Sequence, residues 1–167
     1  MSNIKLFLIF AALILLQILV VSNIYIYNKI SPYIYIMFII IIPARMNRNL
    51  VMFLAFLSGL IIDGFYNTGG IHAASSVFVA FLRPKFLTIL ESRFDNETIE
   101  MPTAKYVGVK FFIYYAGTIV LIHNILIYSL ELFHLKSFIY NFWLVIANSA
   151  ISLLLILLID YLFRKEK

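Results

Sequence analysis

The sequence predicts an all-α integral membrane protein, a six-helix transmembrane bundle in a single domain. Two observations predict this fold class. Hydrophobic residues make up 63% of the 167 residues and charged residues only 13%, against roughly 25% charged residues in soluble domains. The basic residues also lie at the ends of the apolar stretches. A soluble fold of this composition would have too few charged side chains to cover its surface, so the bilayer hosts most of the chain.

Three apolar stretches are long enough to cross the membrane as helices, because a helix rising about 1.5 Å per residue needs about 20 residues to cross about 30 Å of hydrocarbon. They are residues 6–27, 110–131 and 137–162. The first is predicted to be a retained span. It is too long for a secretory signal, and no small-residue cleavage site follows it.

Three shorter apolar stretches occupy the middle of the chain, at residues 30–44, 49–63 and 68–84, and each is closed by charged side chains. Length alone would also suit helices in a soluble core. Their place between long spans favours short, tilted or partly re-entrant membrane helices.

The distribution of basic residues predicts the orientation of the six spans. With the amino terminus in the cytoplasm, eleven of the 13 Lys and Arg residues fall on the cytoplasmic side, and only Lys29 and Lys136 fall outside. Cytoplasmic loops retain Lys and Arg, so both termini are predicted to be cytoplasmic. Residues 85–109 then form a solvated cytoplasmic loop, with one amphipathic helix over residues 84–94 at the membrane surface.

Asp63 is the most informative single residue, because it lies fifteen residues after Arg48, about 22 Å along a helix and short of a full crossing. Two interpretations stay open. Either the bilayer thins and Asp63 terminates the third helix, or Asp63 is a buried polar anchor that locks helices or a partner. Gly59 lies one turn before it on the same face, where a small residue permits close helix approach.

His72 begins the fourth span, before small residues that start at Ala73. It is predicted to be a hydrogen-bonded packing residue, since His123 and His134 fall on other elements and no metal-ligand spacing recurs. Pro43 and Arg45 end the second span. They are either a topology signal or a turn in which Arg45 binds exposed helix carbonyls or an acidic group of a partner.

The sequence predicts no catalytic residue, cofactor or metal. Cysteine does not occur, which excludes disulfides and thiolate metal sites. We find no intramembrane Ser-His or paired-Asp constellation and no glycine-rich phosphate loop. The basic residues follow the ends of the spans and therefore do not indicate a nucleic-acid partner.

Residues 43–73 carry a pattern that resembles the rod shape-determining protein MreD family. The pattern is Pro-Ala-Arg at 43–45, Gly59 followed by Asp63, and Gly-Ile-His-Ala at 70–73. The resemblance implies a non-enzymatic scaffold subunit of the bacterial cell-elongation complex in the inner (plasma) membrane. It implies binding to MreC and, through MreC, association with MreB and peptidoglycan synthases. The residues it assigns to partner contact or packing are Pro43, Arg45, Gly59, Asp63, Gly70, His72 and Ala73.

The same family resembles the substrate-binding subunits of energy-coupling-factor transporters in fold, so a vitamin-binding membrane subunit is the alternative. Such a subunit is expected to direct polar and aromatic side chains into an outward pocket. The predicted outer loops are short and carry few polar groups, which favours the scaffold.

Overall fold

The computed structural model describes residues 3–21, 30–94, 99–132, 139 and 141–164, and within them the regular architecture is α-helical. The all-α class is confirmed. The helices are α1 (Asn3–Leu19), α2 (Met37–Ile41), α3 (Arg48–Tyr66), α4 (Ile71–Phe94), α5 (Ala104–Val107), α6 (Val109–Leu132) and α7 (Phe142–Arg164).

Four helices of the described chain, α3, α4, α6 and α7, are long and apolar enough to cross a membrane, and α1 is a shorter apolar helix. α3 packs against α4, α4 against α6, and α6 against α7. Large apolar side chains such as Leu19, Phe65 and Leu154 are exposed on the outer faces. Soluble proteins rarely expose contiguous apolar surface on this scale. The chain is therefore a multi-pass membrane protein whose outer faces contact lipid.

The predicted span over residues 30–44 differs from a continuous helix. Residues 31–34 have no regular structure, and α2 contains only five residues. Pro32 cannot donate a helical hydrogen bond, and the isoleucines that follow have a branched Cβ, which lowers helix propensity. We call residues 30–42 the central segment. Most of it is buried among the helices.

The boundaries of the third and fourth spans also differ from prediction. α3 continues past Asp63 to Tyr66, so Asp63 does not terminate the helix. α4 continues through Pro84 to Phe94, and the predicted separate surface helix over residues 84–94 is the end of α4. A proline inside a membrane helix is tolerated where neighbouring groups compensate for the missing hydrogen bond.

The predicted solvated loop over residues 85–109 lies against the bundle where it is described. Leu87, Leu90, Ile99 and Ala104 are buried in the main core, because their apolar side chains gain more from burial than from exposure. The backbone N–H of Ala44 also donates to the Glu100 carbonyl at 2.9 Å. Residues 22–27 of the first predicted span and the outer loop at 133–138 lie outside the described residues.

Candidate functional site

Asp63 joins α3 to the start of α4. Its carboxylate is only 5% exposed. Oδ1 accepts the backbone N–H of His72 at 3.0 Å and the Thr68 hydroxyl at 2.5 Å, and Oδ2 accepts the N–H of Ala73 at 2.9 Å. The first N–H groups of any helix lack partners inside that helix, and a negative charge there is favourable. A side chain of α3 therefore caps α4, which is the geometry of a buried anchor between helices.

Gly59 brings the same two helices into backbone contact. A Cβ atom at this position would lie 2.4 Å from the Ala73 Cα atom and 2.5 Å from the Ala73 nitrogen. Only glycine permits this separation. The close approach that the sequence predicted is thus made within the chain, between α3 and α4.

The turn between the two helices completes this arrangement. Asn67 ends α3 in the left-handed conformation with φ 55°, and Gly70 precedes α4 with φ 99°. Residues with a Cβ atom disfavour the conformation of Gly70. We call Gly59, Asp63, Thr68, His72 and Ala73 the hairpin lock. Five predicted site residues thus meet at one place: Gly59, Asp63, Gly70, His72 and Ala73. Their contact with a partner stays a prediction.

Pro43 and Arg45 lie apart from the hairpin lock. The Pro43 carbonyl accepts the N–H of Met46 at 3.2 Å and so closes a turn. The Arg45 guanidinium lies 3.4 Å from the Glu100 carboxylate, and both side chains are largely exposed. Exposed ion pairs contribute about 0 to 1 kcal/mol, so this pair adds little to stability. The structure thus adds a contact that was not among the interpretations left open for Arg45, an ion pair with an acidic group of its own chain.

The start of the central segment is held by side chains from two other helices. Gln17 of α1 accepts the N–H of Ile34 at 2.8 Å and donates to the Pro32 carbonyl at 3.2 Å. The N–H of Tyr33 donates to the Ser152 hydroxyl of α7 at 2.9 Å. Non-helical backbone at membrane depth requires partners of this kind, because hydrocarbon supplies none.

The end of the central segment is held by Arg83, which is only 2% exposed. Its Nε donates to the Tyr115 hydroxyl at 2.9 Å, and its Nη2 donates to the Ile42 carbonyl. Tyr115 in turn donates to the Ile40 carbonyl at 3.1 Å. We call Arg83 and Tyr115, with these two carbonyls, the Arg83 clamp.

Sequence reasoning missed the Arg83 clamp, because Arg83 was counted with the basic residues that mark a membrane face. One signal was available. A proline-containing, β-branched segment that cannot form a long helix needs donors from elsewhere in the bundle. Nothing in the sequence indicates which donors these are.

Tyrosines and histidines converge between the hairpin lock and the central segment. The Tyr33 ring lies 5.1 Å from the His72 ring and 5.9 Å from the His123 ring. The Tyr35 hydroxyl is hydrogen-bonded to His123 Nε2 at 2.8 Å and to the Ser76 hydroxyl at 3.3 Å. We call Tyr33, Tyr35, His72 and His123 the tyrosine-histidine cluster.

Two nitrogens of the tyrosine-histidine cluster, His72 Nε2 and His123 Nδ1, have no hydrogen-bond partner among the described residues. Buried polar groups of native proteins normally have one. These two nitrogens are therefore the buried hydrogen-bonding groups of the cluster that the described residues leave unused. The described residues include no group of three or more His, Cys, Asp or Glu side chains arranged to hold a metal ion.

Comparison of the chain with protein-family models, with curated proteins and with solved structures gives no match. The relation to the MreD family stays a prediction that rests on the pattern over residues 43–73.

Proposed function

We propose that this chain is a non-enzymatic scaffold subunit of the bacterial cell-elongation complex, as its resemblance to the MreD family implies. One observation carries the proposal. The residues of the Gly-x-x-x-Asp and Gly-x-His-Ala patterns are used to fix α4 against α3, through the Asp63 cap and the contact of Gly59 with Ala73. A scaffold needs a surface of fixed shape, and a locked helix pair supplies one.

The outer surface of this helix pair favours binding in the membrane. Phe53, Ile61 and Phe65 of α3 are exposed. Contact with MreC would shift MreC, and through it MreB and the peptidoglycan synthases, toward the assembled complex, because a ligand that prefers one state raises its population. The proposed role is therefore organisation of peptidoglycan synthesis and cell shape by mass action.

Six crossings with both termini in the cytoplasm form part of the proposal. The central segment contacts Ser76 and His123 through Tyr35, and Arg83 and Tyr115 at its end. It therefore extends in the direction of α4 and opposite to α6, as a separate crossing would.

Reporter fusions after Lys167 and in the loop after Glu131 test this topology. We expect a cytoplasmic signal from the first fusion and an external signal from the second. An external carboxyl terminus would contradict the six-span arrangement.

A substrate-binding subunit of an energy-coupling-factor type vitamin transporter is the second candidate. The tyrosine-histidine cluster favours it, because aromatic rings come together inside the bundle with two ring nitrogens that have no hydrogen-bond partner in the described part of the chain. Ligand sites commonly combine apolar and aromatic walls with a few polar groups. The two candidates differ in what their loss does to a cell.

Depletion in a rod-shaped bacterial host separates the two candidates. If the chain is the scaffold, depleted cells should widen and round up. MreC should also co-purify with this chain from native membranes in mild detergent. Rods of normal width after full depletion, with a growth defect rescued by an added vitamin, would reject the scaffold in favour of the transporter subunit.

Complementation of the depleted strain connects the phenotype to the hairpin lock. Gly59→Leu is expected to leave cells wide, because its side chain has no room beside Ala73. Gly64→Leu is the matched control, since a Cβ atom at Gly64 meets nothing within 4 Å. If cells that contain Gly59→Leu at wild-type protein levels had normal width, cell shape would not depend on the hairpin lock.

A further inference from the structure

An apolar groove with a volume of about 530 Å³ lies on the outer side of the α3–α4 pair. α3 and α4 form its walls, and small residues of α4 give it depth. Its larger lining residues are Met52, Phe56, Leu60, Phe78 and Phe81, and Ala74 is one of its small lining residues. None of the hydrogen bonds of the hairpin lock depends on these side chains. Ala73 belongs to both the groove lining and the hairpin lock, so the two features share this residue but no side-chain hydrogen bond.

The length of the groove matches one leaflet. From Gly70, just before α4, to Phe81 the groove extends over eleven residue steps, about 16 Å at about 1.5 Å per residue. Half of a hydrocarbon core of about 30 Å is about 15 Å. A partner's transmembrane helix would need a surface of twice this length, whereas one acyl chain of a lipid needs no more.

One end of the groove is cationic. The Arg48 guanidinium lies 4.0 Å above the centre of the Phe81 ring, and its Nη2 donates to the Phe81 carbonyl at 3.0 Å. Lys85 is exposed one turn further along α4, on the same face as Phe81 and Phe78 because residues four apart are neighbours on a helix. The contact with Phe81 orients Arg48 at the mouth of the groove, and guanidinium groups match phosphate oxygens in geometry.

We propose that the groove binds one acyl chain of an anionic phospholipid, whose phosphate is held by Arg48 and Lys85. The apolar walls select the chain and the two cations select the headgroup charge. The site does not depend on either function proposed above, since both place the protein in a lipid bilayer. A bound lipid would fill the outer face of the α3–α4 pair in one leaflet only.

Tryptophan fluorescence in vesicles tests the proposal on the full chain. The single native tryptophan, Trp143, is on α7. Trp143→Phe removes it, and Phe78→Trp places a reporter in the groove. The probes are phosphatidylglycerol and phosphatidylcholine with brominated acyl chains, which quench a tryptophan that they touch. Phe56→Trp is a second reporter, in case Phe78→Trp fails to accumulate.

We expect phosphatidylglycerol to occupy the groove about thirtyfold more tightly than phosphatidylcholine, because each of the two basic residues contributes a factor of about five, the equivalent of about 1 kcal/mol. Arg48→Gln should remove most of this preference, and Lys85→Gln part of it. Lys110→Gln is the matched control. It removes an exposed cation at the start of α6. This end of α6 lies near Arg83, because Tyr115 of α6 bonds Arg83 of α4.

Three outcomes would overturn the proposal. The first is equal quenching by the two lipids, which would make the groove ordinary lipid-facing surface. The second is a preference that Arg48→Gln leaves unchanged or that Lys110→Gln removes equally. The third is a folded protein whose reporters neither lipid quenches, which would indicate that a second copy or another protein covers the groove.

Discussion

The hairpin lock and the Arg83 clamp perform the same physical task over different distances in the chain. Each uses a buried ionisable side chain to satisfy backbone groups that their own segment leaves unpaired. Asp63 bonds residues five to ten positions away. Arg83 and Tyr115 bond groups 32, 41 and 75 positions away. The hairpin lock connects two consecutive helices, whereas the Arg83 clamp forms only when α4, α6 and the central segment are packed together.

This difference has a consequence for folding. Closing a short loop costs less conformational entropy than closing a long one, so α3 and α4 are able to associate before the rest of the bundle. The central segment has no regular structure of its own over residues 31–34, and it depends on Gln17, Ser152, Arg83 and Tyr115 for partners. We expect the lock to determine whether the helix pair forms and the clamp to determine where the central segment lies.

The largest predicted effect is that of Gly59→Ala in the lock. One added methyl group would lie 2.4 Å from the backbone of Ala73, and backbone cannot move aside as a flexible side chain does. Overpacking of a tight core costs about 1 to 3 kcal/mol and occasionally more, so we expect a loss of at least about 3 kcal/mol in the free energy of unfolding. SDS titration of the purified protein in mixed micelles measures it.

Gly64→Ala is the control for this substitution. Gly64 lies on the same helix, and a Cβ atom there meets nothing within 4 Å. Replacing a helical glycine by alanine stabilises by about 0.5 to 1 kcal/mol. If the two substitutions changed stability equally, the backbone contact between Gly59 and Ala73 would not be what holds the helices together.

Asp63→Ala is predicted to have the next largest effect. It leaves the N–H groups of His72 and Ala73 without their acceptor, while the Thr68 hydroxyl keeps its hydrogen bond with His72 Nδ1 at 2.9 Å. Each buried donor left unsatisfied costs about 1 to 3 kcal/mol, and water that reaches the helix end recovers part of this. We expect a net loss of about 3 kcal/mol in the same titration.

Asp63→Asn distinguishes capping from charge. The amide oxygen still accepts a hydrogen bond from the start of α4, so we expect asparagine to recover about half of the loss seen with alanine, as asparagine is itself a good helix cap. Equal losses with alanine and asparagine would mean that the negative charge, and not the capping oxygen, carries the effect.

The lock and the clamp also differ in how far the sequence predicts them. Gly59 and Asp63 lie four residues apart, at helical spacing, and His72 follows nine residues later, so a helix and a turn are enough to bring them together. That Asp63 caps the next helix did not follow, because the prediction placed the end of α3 at residue 63 and the structure places it at Tyr66.

The clamp was beyond sequence reasoning for a physical reason. Arg83 follows an apolar stretch like any basic residue at a membrane face, and Tyr115 is one of 11 tyrosines. Their meeting depends on how α4, α6 and the central segment pack together, which no periodicity encodes. The all-α class followed from the composition and from the placement of basic residues at the ends of the apolar stretches, while the broken second span required knowledge of its partners.

Arg83→Met is predicted to have a moderate effect. Methionine keeps much of the apolar volume but leaves the Ile42 carbonyl and the Tyr115 hydroxyl without their donor. Removing the buried charge also removes its desolvation cost, so we expect a loss of only about 2 kcal/mol. Lys110→Met, at an exposed position, should change stability by less than about 0.5 kcal/mol. If Arg83→Met left the free energy of unfolding unchanged, the clamp would position the central segment without stabilising the protein.

The smallest predicted effect is that of Tyr115→Phe, and it gives the sharpest test of the comparison. Phenylalanine removes one hydroxyl that accepts from Arg83 and donates to the Ile40 carbonyl, for an expected loss of about 1 kcal/mol. Because the two residues share one hydrogen-bond network, the double variant with Arg83→Met should lose less than the sum of the single losses, by at least about 0.5 kcal/mol.

A second double-mutant cycle, which serves as the control, combines Tyr115→Phe with Asp63→Ala. The lock and the clamp share no hydrogen bond. Asp63 bonds the start of α4, whereas Arg83 lies twenty residues after Asp63 in the chain, further along α4. Distant sites without shared partners add within about 0.5 kcal/mol, so this pair should be additive while the Arg83 pair is not. Strong coupling between Asp63 and Tyr115 would mean that the two devices act as one, with the central segment transmitting strain from the tyrosine-histidine cluster to the clamp.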